Sequence, residues 1–236
     1  DAEEDVISGI TFTANPGETT AFIGSTGSGK STLINLIPRF YDVTEGQILV
    51  DGVDVRDVSQ QELRAKIGYV PQKGVLFSGT VASNIKFGDS DGKDEDMVLA
   101  AQIAQAEDFI EEKPLKYEEP ISQGGTNVSG GQKQRLSIAR AIAGRPEIYI
   151  FDDSFSALDY KTDVALRRAL KENLSGATVL IVAQRISTIL GAEKIVVLDE
   201  GRIVGIGTHK ELMKSCEVYQ QIASSQLSEE ELTYDE

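Results

Sequence analysis

A glycine-rich segment near the start of the chain, GSTGSGKS at positions 24–31, combines residue types that bind phosphate. Glycines let the backbone curl so that successive N–H groups point inward, and a helix that begins at the end of the segment adds its positive dipole end. Lys30 supplies a point charge for outer phosphates, and Ser31 offers a hydroxyl ligand to Mg²⁺. The segment predicts a nucleotide phosphate site; the alternative is a glycine-rich turn that caps an ordinary helix. The residues assigned to this site are Gly24, Ser25, Thr26, Gly27, Ser28, Gly29, Lys30, Ser31 and Thr32.

A carboxylate at the end of an apolar run is the second candidate. Ile148-Tyr-Ile-Phe151 has the continuous apolar pattern of a strand that is buried on both faces, and Asp152 follows it directly. Ligands of open α/β sheets collect at the carboxyl ends of strands, where a metal bound to phosphates needs an acidic group. We therefore predict that Asp152 serves the Mg²⁺ ion that Ser31 binds.

Hydrophobic periodicity indicates the elements that position these residues. A strand at about Thr19–Gly24 leads into the glycine-rich segment, and a helix runs from Lys30 through Ile37, which gives a strand, a loop and a helix in sequence. Five further strands are predicted, and several of them are continuous β-branched runs, which predicts a mostly parallel sheet in an α/β fold. These strands are Gln47–Val50, Ile67–Val70, Ile148–Asp152, Thr178–Val182 and Ile195–Leu198.

Helical patterning dominates the stretch between Val70 and Ile148. Its clearest helices are Asp94–Ala106 and Gln132–Ala143, and Gly88–Asp94 is a polar turn region rather than a linker between domains. We interpret the stretch as an inserted helical lobe.

Two further helices begin at capping boxes, Ser59-Gln-Gln-Glu62 and Thr208-His-Lys-Glu211, in which hydroxyl and carboxylate satisfy free backbone N–H groups. His209, the only histidine, is expected to be a surface residue without a catalytic role. We expect one domain over residues 1–236. It would comprise a core lobe at about 1–72 and 147–236, a helical lobe at about 73–146 and an acidic tail at 228–236.

Composition limits the classes of partner. A formal net charge of −15 argues against a sequence-independent grip on nucleic acid, which is built from Lys and Arg. No apolar run approaches the roughly 18 residues of a membrane helix. Cys216 is the only cysteine, so a reducing compartment is expected, and the start of the chain lacks the pattern of a secretion signal.

Three further motifs, taken in order with the phosphate segment, resemble those of ABC ATPases. Val128-Ser129-Gly130-Gly131-Gln132 is similar to the signature motif, Gln72 in Val70-Pro71-Gln72 to the Q-loop, and Ser156-Ala157-Leu158-Asp159 to the D-loop. The resemblance covers essentially the whole chain. It implies a P-loop NTPase fold with a mostly parallel central sheet, an antiparallel β subdomain and an inserted α-helical subdomain. It also implies that ATP and Mg²⁺ are the cofactors.

The resemblance implies a role for each motif. Gln72 would join Ser31 and Asp152 at the metal and would act in hydrolysis. In this family two ATP molecules lie between two domains arranged head to tail, so the signature and D-loop of one domain complete the site of the other. The residues that would serve the partner's ATP are Ser129, Gly130, Gly131, Gln132 and Asp159.

Residues 70–85 look like exporter domains rather than importer subunits. The resemblance therefore implies a transmembrane domain fused on the N-terminal side of the full-length protein, which places this domain at the cytoplasmic face of the membrane. The family's adenine-stacking aromatic is expected at or just before Asp1, and no aromatic occurs before Phe12, which indicates an excised domain. Multidrug export is an expectation from the resemblance alone.

The chain departs from the family pattern at two positions of the hydrolytic machinery. Asp153 stands where the family has a glutamate that activates water, and Gln184 stands where it has the switch histidine. Loss of one methylene withdraws the carboxylate by roughly an ångström, which can cost about 10²-fold in rate. Glutamine donates a hydrogen bond but cannot become charged.

These departures resemble the degenerate half of heterodimeric exporters. We expect a chain that binds ATP, hydrolyses it slowly and lends its signature to a different, glutamate-containing subunit. Two alternatives stay open, namely a self-sufficient homodimeric ATPase and a regulatory ATP-binding module with little hydrolysis. A protein of this class that acts on DNA or ribosomes would show basic patches, coiled-coil insertions or tandem domains, and the sequence has none of these.

Overall fold

The computed structural model describes residues 5–88 and 92–227, and these contain both strands and helices. The strands are β1 (Thr19–Gly24), β2 (Leu49–Val50), β3 (Val53–Asp54), β4 (Ile67–Val70), β5 (Gly79–Thr80), β6 (Pro120–Ile121), β7 (Ile148–Asp152), β8 (Thr178–Val182), β9 (Lys194–Asp199) and β10 (Arg202–Gly207). The helices are α1 (Lys30–Leu36), α2 (Gln60–Ala65), α3 (Val81–Ile85), α4 (Asp94–Ile103), α5 (Glu107–Glu111), α6 (Gly130–Ala143), α7 (Tyr160–Asn173), α8 (His209–Ser215) and α9 (Glu217–Gln226).

The chain forms two compact units. Of the described residues, the first unit comprises those up to Ile67 and from Thr178, and the second those from Gly68 to Ala177. These boundaries differ from the predicted lobe boundaries near 72 and 147, because β7 and α7 group here with the helical stretch. The organisation as one domain with a core lobe and a helical lobe stays a prediction.

In the first unit the strand that leads into the glycine-rich segment lies between two parallel neighbours. β1 pairs in parallel with β8 and β9, with Phe22 opposite Val182 and Val196, and β10 is antiparallel to β9. The inner residues of β1, β8 and β9 are buried, as expected for β-branched strands covered on both faces. The sheet is therefore mostly parallel, and the predicted α/β class is confirmed. The short pair β2 and β3 is antiparallel.

In the second unit β7 is hydrogen-bonded to β4, and β5 pairs with β6 in antiparallel fashion. The long helix α6 packs against α3 and α4, and α4 also contacts α7. Leu136, Ile138 and Ala139 of α6 are fully buried, so this helix forms the centre of the unit's core.

The predicted strands Thr19–Gly24, Ile67–Val70, Ile148–Asp152 and Thr178–Val182 are confirmed at their bounds, and both capping boxes form. Other bounds differ for local reasons. Helix α4 ends before Ala106 because Gln105 adopts a φ of +56°, and α6 begins two residues earlier than predicted because Ser129 caps it. The predicted acidic tail at 228–236 and part of the turn at Gly88–Asp94 lie outside the described residues. Within 5–88 and 92–227, no helix combines the length and the apolar character needed to cross a membrane.

Candidate functional site

Two glycines of the phosphate segment stand where a side chain does not fit. A Cβ at Gly24, where β1 ends, would lie 2.0 Å from the carbonyl oxygen of Leu198. Gly29 has a φ of +94°, and a Cβ there would lie 2.3 Å from Cγ2 of Ile7. Gly29 is also the N-cap of α1, so no side chain of the cap occupies the N–H groups of the first turn. The glycines therefore let the loop curl closely.

Lys30 lies across the same loop. Its Nζ donates to the carbonyl oxygens of Gly24 at 2.9 Å and Ser25 at 2.7 Å, and to Oγ of Ser28 at 3.2 Å. The side chain is almost buried, so the ammonium charge stays beside the first turn of α1. Ser31 is exposed and adds a hydroxyl. Ammonium, hydroxyl and backbone N–H donors together form a set that fits the phosphates of a nucleotide.

In the second unit β7 ends in two adjacent buried carboxylates. Asp152 and Asp153 are 8% and 7% exposed. The Tyr69 hydroxyl lies 3.4 Å from Oδ2 of Asp152. Burial, and then the Asp152 carboxylate, raise the pKa of Tyr69, so its hydroxyl remains protonated and can donate. Oxygen ligands of this kind fit Mg²⁺.

Gln72 contacts the second carboxylate. Its Nε2 donates to Oδ2 of Asp153 at 2.9 Å. The Asp153 backbone has a φ of +48°, and the hydroxyl of the next residue, Ser154, donates to the carbonyl oxygen of Val70 at 2.9 Å. The turn after β7 is thereby held beside the end of β4. Two predicted catalytic residues are thus brought together within one unit.

Ser129, Gly130, Gly131 and Gln132 form the first turn of α6. The Ser129 hydroxyl accepts from the Gln132 N–H at 3.2 Å, and Oε1 of Gln132 accepts from the Ser129 N–H at 3.1 Å. This capping box is a structural role that the sequence analysis did not assign. A Cβ at Gly131 would lie 3.6 Å from the carbonyl oxygen of Ala157, so the signature and D-loop segments are neighbours.

Asp159 is the N-cap of α7. It accepts from the Thr162 N–H at 3.0 Å and from the Thr162 hydroxyl at 2.7 Å. The bond from the Thr162 hydroxyl, and to a smaller extent the bond from its N–H, hold the pKa of Asp159 below its ordinary value. The residue is exposed, so its carboxylate both caps the helix and faces outward.

Gln184 lies in the first unit, two residues after β8, and is exposed. Its carbonyl oxygen accepts from Nε2 of Gln226 at 2.8 Å, and Oε1 of Gln226 accepts from the Ile186 N–H at 2.8 Å. One side chain at the end of α9 therefore fixes the backbone on both sides of Arg185.

Residues 7–156 match the sequence profile of the ABC transporter family. The chain belongs to this family. It is 48% identical over 228 residues to an uncharacterized ABC transporter ATP-binding protein of Mycobacterium tuberculosis, an alignment that covers 95% of this chain and 39% of the relative. It is 47% identical over 226 residues to a Staphylococcus aureus protein named as a multidrug export ATP-binding/permease protein, with coverage of 96% and 39%.

Among solved structures, a bacterial Atm1-family ABC exporter with ATP bound is similar at a TM-score of 0.93 and 36% identity. The similarity covers all of this chain and 41% of the exporter chain. The P-loop NTPase fold of an ABC ATP-binding domain is thus shown, and the chain spans about two fifths of the length of the proteins it matches.

Sequence reasoning missed three residues that position the ABC motifs. Gln134, Gln226 and Tyr69 hold the Q-loop, the Gln184 segment and the Asp152 carboxylate through side-chain bonds. For Gln134 a signal was available, because a polar residue on the apolar face of α6 requires a buried partner. Gln226 and Tyr69 gave no comparable signal.

Proposed function

We propose that this chain is the ATP-binding domain of an ABC exporter and couples MgATP binding and hydrolysis to transport across a membrane. ABC ATP-binding domains are ATPases. The observation that carries the proposal is the glycine loop that places the Lys30 ammonium beside the first turn of α1. The relatives named as export proteins support the direction of transport, and multidrug export is part of the proposal.

In this proposal the phosphates of ATP lie in the loop of residues 24–32. Ser31, Gln72 and Asp152 would hold Mg²⁺, which supplies positive charge to neutralise the phosphate oxygens. Lys30 would bind the outer phosphates. Ser129, Gly130, Gly131 and Gln132, with Asp159, would contact the ATP of a second subunit. The capping box at Ser129 supports this role, since it orients the N-terminus of α6 and leaves Gly130 exposed.

We further propose that hydrolysis at this chain's own site is slow. Asp153 is shorter than glutamate by one methylene and already accepts a hydrogen bond from Gln72. A carboxylate held there reaches less far towards an attacking water, and misplacement by about 1 Å can cost about 10²-fold in rate. Gln184 contributes no positive charge. Both substitutions fall on the hydrolytic machinery and spare the phosphate loop.

The partner in this proposal is a different ABC subunit with a glutamate-containing site. A transmembrane domain on the N-terminal side of the full-length protein would carry the substrate path, with this domain at the cytoplasmic face. The Staphylococcus aureus relative is a longer protein named as an ATP-binding/permease protein, which supports such an arrangement. The second candidate function is a regulatory ATP-binding module, favoured by the same Asp153 and Gln184.

The test compares the chain with a double variant, Asp153→Glu with Gln184→His. MgATP affinity and single-turnover hydrolysis are measured for both, and Lys30→Met serves as the control that should lose affinity. Equal affinity, with at least a tenfold faster turnover in the double variant, is the expected result. Fast turnover by the unmodified chain would show instead a self-sufficient ATPase, and absence of MgATP binding would overturn the proposal as a whole.

A further inference from the structure

The turn that carries Gln72 is held at both ends by one side chain of α6. Gln134 is 1% exposed. Its Nε2 donates to the carbonyl oxygen of Pro71 at 3.0 Å, and its Oε1 accepts from the Gly74 N–H at 2.8 Å. The amide thus joins the residue before Gln72 to the second residue after it. A buried amide that makes one bond as donor and one as acceptor fixes the direction as well as the position of the segment it binds.

Gly74 shows how closely this turn lies on α6. A Cβ at Gly74 would lie 2.9 Å from the backbone carbonyl carbon and oxygen of Lys133 and 2.9 Å from Oγ of Ser137. No side chain fits in this space without movement of the helix backbone or the turn. The contact at Gly74 and the two bonds of Gln134 therefore act on the same few residues.

The same helix holds the residues that follow. Arg140 donates through Nη1 to the carbonyl oxygen of Val75 at 2.8 Å and through Nε to the carbonyl oxygen of Asn84 at 2.9 Å. Asn84 in turn accepts from the Phe77 N–H and donates to the Phe77 carbonyl oxygen, both at 2.8 Å. Arg140 thus anchors the chain after the turn, whereas Gln134 anchors the turn itself.

We propose that Gln134 is a positioning residue that holds the Gln72 turn on α6, so that the contact between Gln72 and Asp153 depends on where α6 lies. The signature residue Ser129 caps the same helix, five positions before Gln134. A shift of α6 when the signature contacts a partner's nucleotide would therefore move Gln72 relative to Asp153. The inference rests on the proposed ATPase function, because the position of Gln72 matters only if that side chain serves the reaction.

The test uses Gln134→Met and Gln134→Glu, each made in the Asp153→Glu, Gln184→His parent so that turnover is measurable. Methionine has a similar volume and makes neither bond. Glutamate accepts from the Gly74 N–H when ionised and can donate to the Pro71 carbonyl oxygen only when protonated. The matched control is Gln220→Met, which removes a partly buried side-chain bond to the Met213 carbonyl oxygen in the first unit.

We expect Gln134→Met to slow single-turnover hydrolysis at least tenfold and to leave the affinity for ATP without Mg²⁺ within about twofold, since the Lys30 loop is unchanged. The rate of Gln134→Glu relative to its parent should rise as pH falls, whereas that of Gln134→Met should stay constant. Amide hydrogen exchange at Gly74 should accelerate in Gln134→Met and not in Gln220→Met.

Parental turnover in a folded Gln134→Met variant would overturn the inference, and so would equal losses in Gln134→Met and Gln220→Met. If Gln134→Met does not fold, the pH response of Gln134→Glu decides alone. Each Gln134 variant is compared with the hydrolysis rate of its parent. A failure of the proposed function would instead appear in the parent and in the unmodified chain, so the two failures are distinguishable.

Discussion

At the scale of single residues, several motif positions serve both the local fold and the proposed chemistry. Ser129 and Asp159 are N-caps, and Gly24 and Gly29 lie where a Cβ would clash with a neighbouring residue. Loss of function after substitution at such a position therefore has two explanations. Variants that keep one role and remove the other separate them.

Ser129→Asp should keep the cap of α6 and abolish a phosphate contact. Aspartate caps helices about as well as serine, but its negative charge repels phosphate. In the Asp153→Glu, Gln184→His background we expect thermal stability within experimental error of the parent and at least a tenfold loss of MgATP-dependent turnover. Ser129→Ala is the counterpart and should lower stability by about 1 kcal/mol. Full turnover in Ser129→Asp would show that Ser129 is only a cap.

Gly24→Ala should disrupt the phosphate loop. Its Cβ would lie 2.0 Å from the Leu198 carbonyl oxygen, so the loop must move away from β9. We expect a loss of roughly 1–3 kcal/mol in the free energy of unfolding and at least a tenfold loss of MgATP affinity. Gly191→Ala is the control, since a Cβ there meets nothing within 4 Å. Chemical denaturation and nucleotide titration measure the two effects, and unchanged values for Gly24→Ala would contradict the geometry.

At the scale of elements, helices are joined by a few polar side chains whose partners lie far away in sequence. Gln134 joins α6 to the Gln72 turn, and Gln226 joins α9 to the Gln184 segment. His209 was expected to be a surface residue, but it is only partly exposed, and its Nδ1 lies 2.8 Å from the hydroxyl of buried Tyr219. This pair links α8 to α9.

Protonation of His209 should weaken the contact between α8 and α9. Burial lowers the pKa of His209, so the folded state binds fewer protons than the unfolded state, in which the pKa is about 6.5. The contribution of His209 to the free energy of unfolding is therefore fully present above about pH 6.5, and it is lost as the pH falls below that value. Urea unfolding of the chain and of His209→Gln at several pH values measures this. The difference in the free energy of unfolding between the two proteins should change below about pH 6.5. A difference that is constant with pH would contradict a role of His209 protonation.

At the scale of the whole molecule, the chain carries a large negative charge. The formal net charge is −15, so two copies of this chain repel each other at low ionic strength. A partner with a less acidic surface would meet less repulsion. This agrees with the proposal of a different second subunit.

Deletion of residues 228–236 removes five carboxylates and changes the formal net charge from −15 to −10. We expect unchanged MgATP affinity, because the phosphate loop is untouched. Self-association with MgATP should become less dependent on salt between low ionic strength and about 0.15 M, where the Debye length is about 8 Å. Sedimentation at several salt concentrations measures it. An unaltered salt dependence would show that the tail's charge does not act on association.

The amino-acid sequence alone determined the elements and motifs that depend on nearby residues. The bounds of β1, β4, β7 and β8 followed from apolar runs, and the helix starts at Ser59 and Thr208 from capping boxes. The glycine-rich loop was equally clear, because glycine, lysine and serine within eight positions need only their own backbone to form a phosphate site. The family was evident from the order of its motifs.

Only the tertiary structure decided which distant side chains meet. The bond from Gln72 to Asp153 joins residues 81 positions apart, and the bond from Gln134 to Pro71 joins residues 63 positions apart. Such contacts depend on how α6, β4 and β7 pack, and no local pattern encodes that arrangement. Periodicity shows that Gln134 is buried, but the partner of a buried amide is set by the backbone groups that packing leaves beside it.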